Sequence, residues 1–357
     1  MVISTGSMTA VTKLIRQSLI FLHMKKNINI SILIPVFNTE PLLKNCFDSI
    51  KQSFLLSELN VQVVIINDAS TKTDDNNKCK KIVKVFKKEA KQLERQNKRC
   101  FLIDYAEHYT NKGLLETRRD ALFLAQGDYI LIVDSDDTIT PNCLTDLYNA
   151  AIKSGCDVIH GKTNIIANDL SSNAAIIKGK RANLVHSGAI NENLLNSFLI
   201  KKDFNGFVWG KLYKKEIVLR AFDHIPPMYC TVQEDFITSL WIFFTAKSYY
   251  GIDSTVYNYN IETGISSKNQ VTDISQIEKI CSAAGVFTAI YSEIESLPQD
   301  SFTSEQIQKI QIVSANCLIN NIKQLKASVT PELQQTAYEI LCDYWGQNFV
   351  DKFYKEF

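Results

Sequence analysis

The chain has 357 residues, with 39 Lys and Arg against 38 Asp and Glu, a formal net charge of +1, and 45% of its residues hydrophobic. That apolar content supports a packed core and excludes wholesale disorder, and the balanced charge excludes nucleic-acid binding through a broad cationic surface. At roughly 150 residues per domain the length predicts about two domains, or one large α/β domain with an appendage, and no apolar stretch approaches the ~20 residues of a spanning helix.

Residues 1–26 form an N-terminal extension ahead of the first strong strand signal. They carry Lys13 and Arg16 before Leu19, Ile20, Phe21 and Leu22. The apolar run is too short for a signal peptide, and no small-residue cleavage site follows it. Met24-Lys25-Lys26 reads as the natural start, making residues 1–23 an upstream extension. The competing reading is a short amphipathic helix on a membrane surface.

Residues 30–36 predict a strand buried on both faces, being almost wholly apolar. Residues 39–53 predict a helix, with Leu42, Leu43, Cys46, Phe47 and Ile50 at helical spacing. A second strand follows at 61–66 and a long helix at 74–97. Over 78–99 that helix carries ten Lys and Arg against Glu89 and Glu94. It reads as a solvated outer face, or as a contact with an anionic membrane. A strand at 101–105, a helix at 112–126 and a strand at 129–133 complete the alternation. Strand and helix in turn predict a parallel sheet with right-handed crossovers, whose ligands bind beyond the carboxyl ends of the strands. From about residue 270 the pattern becomes helical, over 273–297, 303–327 and 331–356. The nine cysteines are scattered and odd in number, with no C-x-x-C pair. They read as free thiols of a reducing cytosol.

The residues after the strands hold the chemistry. Pro35-Val36-Phe37-Asn38-Thr39-Glu40 follows the first, Asn67-Asp68-Ala69-Ser70 the second, and Asp134-Ser135-Asp136-Asp137 the fourth. Asp134 and Asp136 are two apart and leave a strand end on one face. Two such carboxylates repel unless a cation lies between them, and Mg²⁺ or Mn²⁺ suits oxygen ligands. The plainer reading is a polar turn. Glu234-Asp235 opens an apolar helix, and the positive end of that helix suits either a general base or a capping acidic pair. Trp209, between Gly206 and Gly210, reads as a sugar-stacking platform for an acceptor or as a core residue. His160 has no evident partner and reads as structural.

Together these pieces resemble a family 2 glycosyltransferase with the GT-A fold, in its bacterial surface-polysaccharide branch. The matching segments are 32–38, 64–70, Asn111-Lys112-Gly113 with Arg118, 125–130 and 134–137. Val208-Trp209-Gly210-Lys211-Leu212-Tyr213, Glu234-Asp235 and Tyr257-Asn258-Tyr259 follow in register. The resemblance implies an α/β GT-A domain, Rossmann-like and of the nucleotide-diphospho-sugar transferase type, over 27–268. A helical C-terminal appendage follows over 269–357. It implies an inverting, metal-dependent transfer from a nucleotide sugar, a UDP-sugar in the usual case, to a glycan or lipid-linked glycan acceptor of capsule or lipopolysaccharide. By position, Pro35, Phe37, Asn38, Glu40, Asp68, Asn111, Gly113, Arg118, Asp134 and Ser135 would bind the donor. Asp136, Asp134 and Asp137 would hold Mn²⁺ or Mg²⁺. Asp235 would be the base, with Glu234 beside it, and Trp209 and Lys211 would face the acceptor. Cytoplasmic location is implied, with a peripheral contact to the inner membrane as an option for the amphipathic end at Trp345, Phe349, Phe353 and Tyr354. Two departures stand out. The family's Ala-Arg-Asn-x-Gly reads Thr117-Arg118-Arg119-Asp120-Ala121 here, and Asn260 follows Tyr259 where the family often has Arg. Two rival classes remain. One is a haloacid-dehalogenase-type phosphatase built on Asp134-Ser135-Asp136-Asp137-Thr138, and the other is a non-catalytic nucleotide-sugar-binding module.

Overall fold

The computed structural model describes residues 27–71, 78–263 and 271–355. The expectations for residues 1–26 lie outside these, as do the first turn of the 74–97 helix and residue 356. The strands are β1 (Ile30–Val36), β2 (Val61–Asn67), β3 (Phe101–Glu107), β4 (Tyr129–Ile132), β5 (Thr138–Ile139), β6 (Val158–Ile166), β7 (Gly188–Ile190), β8 (Lys211–Lys214) and β9 (Tyr249–Asn260). The longer helices are α1 (Glu40–Leu55), α2 (Lys78–Asn97), α3 (Leu114–Leu124), α4 (Cys143–Ser154), α5 (Asn173–Ala182), α6 (Lys215–Asp223) and α7 (Glu234–Thr245). The C-terminal set is α8 (Ile274–Cys281), α9 (Ala283–Ser296), α10 (Ser304–Ser328), α11 (Gln334–Trp345) and α12 (Gln347–Tyr354).

All nine strands join one sheet in the order β3-β2-β1-β4-β8-β6-β9-β5, with β7 on β9. β3, β2, β1 and β4 are parallel, and β8 then runs antiparallel between β4 and β6. The chain winds from β1 outward to β3 and returns to β4 on the other side of β1. The carboxyl ends of β1 and β4 therefore flank the point where winding reverses, where a crevice opens in such sheets. Every residue of β1 and β2 is buried, as the continuous apolar runs require.

The pleat divides their side chains. Ile30, Ile32, Ile34 and Val36 pack with α1, α2 and α4, where Phe47 stacks on Phe86 at 4.3 Å and Phe54 on Phe101 at 4.2 Å. Leu33, Val64 and Ile66 face the other core, which α3, α6, α7, α9 and α10 complete. The basic α2 turns Cys79, Val83, Phe86 and Ala90 inward, as an outer helix does. One buried polar knot pins the turn into β4. Ser31 Oγ donates to Gln62 Oε1 at 2.6 Å, while Gln126 N and Gly127 N donate to these two side chains. A Cβ on Gly127 would fall 2.6 Å from Ser31 N, so only glycine closes that turn.

The helical end is more broken than its apolar spacing predicts. The helix expected over 273–297 is interrupted at Ser282, and the one over 331–356 is a short 3₁₀ turn, Pro331–Leu333, followed by α11 and α12. Gly346, with φ at +83°, separates the last two. α9 and α10 share the core of the sheet through Phe287, Ile290 and Ile310, whereas Leu318, Ile322 and Leu341 form a smaller core further on. Trp345, Phe349, Phe353 and Tyr354 border that smaller core. Eight of the nine cysteines are buried, none is bridged, and Cys342 on α11 is the partly exposed one.

Candidate active site

Four polar clusters meet at the carboxyl edge of the parallel half. Beyond β1, Phe37 is 38% exposed and Asn38 takes φ +59°. Asn38 N donates to Ser70 Oγ, and Thr71 N donates to Asn38 Oδ1, so the β1 and β2 ends brace each other. Ala69 is also left-handed, at +57°. Such strain in non-glycine residues persists only where neighbours over-determine the backbone. Thr39 and Ser135 hydroxyls meet at 2.7 Å, tying the β1 end to the β4 end. Glu40 is buried, and its Oε2 has no hydrogen-bond partner among the described residues.

Asp68 closes β2. Its carboxylate accepts from Lys112 N at 2.8 Å, Gly113 N at 3.0 Å and His108 Nδ1 at 2.6 Å. Asn111 Nδ2 donates to the Asp68 carbonyl at 3.1 Å. Gly113 has φ +87°, and a Cβ there would lie 2.9 Å from the Cys230 carbonyl oxygen. The loop therefore requires glycine on both counts.

Arg118, on α3, is 1% exposed. Its Nη1 donates to Asp235 Oδ1 at 2.7 Å and its Nη2 to Asp134 Oδ1 at 3.0 Å, with Glu234 Oε1 at 4.0 Å. Burial alone would lower the guanidinium value, but the charges of Asp235, Asp134 and Glu234 raise it above the ordinary one. Its Nε lacks a partner among the described residues. Glu234 and Asp235 open α7 behind Gln233, which takes φ +67°. Desolvation pushes both carboxyls up, and Arg118 pulls them back.

The Asp134–Asp137 turn divides its carboxylates. Asp134 faces Arg118. Asp136 Oδ2 accepts from Thr263 Oγ1 at 2.7 Å, and desolvation followed by the Asp134 charge raises its value. Asp137 is buried, where Tyr257 Oη donates to Oδ2 at 2.8 Å and Asn260 N to Oδ1 at 2.7 Å. Desolvation and the nearby Asp134 push it up to about 8. Among the described residues no three His, Cys, Asp or Glu side chains gather as a ready-made metal cage. Of the three expected cation ligands, Asp134 and Asp136 are the two that stay half-buried rather than fully enclosed. Each repels the other, and the run's charge, added to burial, also raises the adjacent Cys46 thiol. Asp137, expected as a third ligand, has both oxygens engaged inside the protein.

Two acceptor-facing expectations also meet burial. Trp209 is 3% exposed and stacks between Phe207 at 4.5 Å and Tyr257 at 4.8 Å, so it offers no open platform. Lys211 is fully buried, with Nζ donating to Asn205 Oδ1 at 2.7 Å and the Phe207 carbonyl at 2.6 Å. Burial pulls its value down to about 7. His160 meets Tyr249 Oη at 2.9 Å and Asn205 at 3.3 Å in the same interior, a structural role. His108, Asp120, Tyr257 and Thr263 join the site without having been singled out for it. The signal for His108 is its place directly after β3, a parallel strand end like those of β1, β2 and β4.

Residues 31–184 match the model for glycosyl transferase family 2. Those residues are a domain of this family. The glycosyltransferase GlyA of Streptococcus pneumoniae is 25% identical over 241 residues, 67% of this chain and 31% of GlyA. The chain thus spans about a third of the length of that relative. The poly(ribitol-phosphate) beta-N-acetylglucosaminyltransferase TarP of Staphylococcus aureus is 22% identical over 250 residues, 70% of this chain and 66% of TarP. The structure of S. aureus TarS 1–349 in complex with UDP-GlcNAc superposes with a TM-score of 0.51 at 17% identity, over 92% of each chain. This likeness establishes the GT-A fold expected from the strand ends. The structure gives Arg119 a place of its own. That side chain donates to the carbonyls of Phe222 at 3.0 Å and Ile225 at 2.8 Å, clamping α3 to the end of α6 rather than reaching the crevice. No described helix is long and apolar enough to cross a membrane.

Proposed function

We propose that the chain is an inverting glycosyltransferase that moves a sugar from a nucleotide-sugar donor, a UDP-sugar first, to a glycan acceptor of a bacterial surface polysaccharide. The observation that carries this reading is Arg118, which joins Asp134 at the end of β4 to Asp235 at the start of α7. A donor-side carboxylate and a candidate base are thereby held at one buried guanidinium.

The exposed Phe37 ring offers a stacking face for the nucleobase, and Asp68 lies beside it on the neighbouring strand end. Asp134 and Asp136 would hold a divalent cation, Mn²⁺ or Mg²⁺, which would act as a Lewis acid toward the departing diphosphate. Asp235 takes the proton from the acceptor hydroxyl as that oxygen bonds to the anomeric carbon. The bond from that carbon to the diphosphate breaks, and its electron pair leaves with the nucleoside diphosphate. Burial raises Asp235 and Arg118 restrains it, which tunes a carboxylate toward the acceptor proton. General-base assistance of this kind is worth ~10²–10⁴-fold.

We place the reaction in the cytoplasm, in keeping with nine unbridged cysteines. TarP, named for a poly(ribitol-phosphate) acceptor, supports a surface polymer as the acceptor class. The phosphatase reading gains no support, because Asp134 is paired to a buried arginine and three strands precede its motif. The test is a panel of UDP-, GDP- and CMP-sugars with and without Mn²⁺, scored by thermal shift and transfer. Stabilisation and turnover by one nucleotide class is the expected result. Retained anomeric configuration in the product would overturn inversion, and no response to any nucleotide would overturn the donor reading.

A further inference from the structure

We propose that His108 is a positioning residue for donor binding: clamped between Asp68 and Asp120, it holds the Asp68 carboxylate oriented toward the nucleobase. The inference rests on Asp68 being the nucleobase contact.

Both ring nitrogens of His108 face carboxylate oxygens. Nδ1 lies 2.6 Å from Asp68 Oδ1 and Nε2 lies 2.9 Å from Asp120 Oδ2. A neutral imidazole donates from one nitrogen only and would present a lone pair to one of these oxygens. The imidazolium donates to both, so the geometry selects the charged ring. Its side chain is 7% exposed, which leaves little room for water to replace either partner. Burial opposes the charge, yet Asp120 and Asp68 outweigh it, and the value is raised above that of ordinary histidine. Lys112 works the other way. It donates from Nζ to Asp120 Oδ2 at 2.9 Å and repels the imidazolium. Tyr229 completes the titratable groups around Asp68.

The clamp leaves Asp68 with a defined vacancy. Oδ1 accepts from Lys112 N and His108, while Oδ2 accepts only from Gly113 N among the described residues. A carboxylate oxygen has about two acceptor positions. One on Oδ2 therefore remains for a base bearing a ring N–H, such as uracil or guanine. Loss of the His108 proton would set a lone pair against Asp120 or Asp68 and release the clamp. The sign follows directly: donor affinity is full while the ring is charged and falls as pH rises through the raised His108 value.

The test is calorimetric titration of UDP into the full chain between pH 6.5 and 8.5. Wild type, His108→Gln and Asp120→Asn are compared after thermal melts have established that each is folded. In wild type, UDP affinity is expected to break downward with rising pH. His108→Gln should bind about tenfold more weakly, the scale of one lost charge-assisted bond, with no break. Asp120→Asn should keep a break moved toward the ordinary histidine value of about 6.5. The same pH profile in all three proteins would overturn the role of His108 and leave the donor site standing. Absence of UDP and GDP binding in wild type would overturn the donor reading and this inference with it. Should His108→Gln fail to fold, the shift of the break in Asp120→Asn decides the matter alone.

Discussion

Two corners of the same acidic turn handle charge in opposite ways. At one corner Asp134 shares a buried guanidinium with Asp235 and Glu234. At the other, Asp137 is buried and held by the Tyr257 hydroxyl and the Asn260 amide, with no ion pair among the described residues. At the first corner the guanidinium offsets part of the desolvation that raises Glu234 and Asp235. The second pushes its carboxyl toward the neutral form by burial. Three aspartates within four positions thus divide into a half-buried pair and a buried anchor. The anchor also works for the pair: Asp134 N donates to the Tyr257 oxygen at 3.1 Å, so the Asp137–Tyr257 bond fixes the backbone from which Asp134 projects.

The contrast breaks most severely at Arg118. Arg118→Gln strands three carboxylates in the interior and should cost about 3–5 kcal/mol of stability. Transfer should fall by about 10³-fold, at the upper end for a lost electrostatic contact. The melt should recover partly at lower pH, where the stranded carboxyls can protonate, and by more than the gain that Asp137 gives wild type and variant alike. Next in size is Asp235→Asn. It should lower transfer by about 10²-fold while UDP-sugar affinity, measured by titration, stays near wild type. A mere capping role would leave transfer unchanged, since Asn caps about as well as Asp. Asp136→Ala should abolish the thermal shift produced by Mn²⁺ together with UDP, while UDP alone still registers. A wild-type response would place the cation elsewhere.

The smallest effect on transfer is expected at the anchor. Asp137→Asn keeps its two partners within reach and should change turnover only a few-fold. Its signature is in stability against pH. A carboxyl raised from 3.8 to about 8 contributes stability that is complete at low pH and is lost as pH rises through about 8. The melting-temperature advantage of wild type over Asp137→Asn should therefore be greatest near pH 4 and shrink toward pH 9. An advantage that grew with pH would mean that Asp137 is ionised in the fold.

What could be read ahead of the structure follows from sequence distance and burial. The parallel half was legible because unbroken runs such as 30–36 and 61–66 admit little but central strands, and polar residues directly after them must fall on one edge. The join between Arg118 and Asp235 spans 117 residues and belongs to no local pattern. The residue types of Trp209, Lys211 and Asp137 allow an acceptor or cation contact, and for Trp209 equally a place in the core. Whether an aromatic or a charge is covered depends on Phe207, Asn205 and Tyr257, which arrive from other strands and loops. The 3.6-residue periodicity found the C-terminal helices, yet it runs through Ser282 and Gly346 without registering that the backbone stops there.

The burial of the cysteines turns the chain into its own unfolding gauge. Folded protein presents one partly accessible thiol, Cys342, and the unfolded chain presents nine. Alkylation followed by intact-mass measurement should thus give about one adduct for native molecules and nine for opened ones, with intermediate counts marking local opening. Because Cys342 belongs to the helical end and Cys46 lies beneath the acidic turn, the order in which adducts accumulate would distinguish fraying of the appendage from loss of the crevice, without any introduced probe.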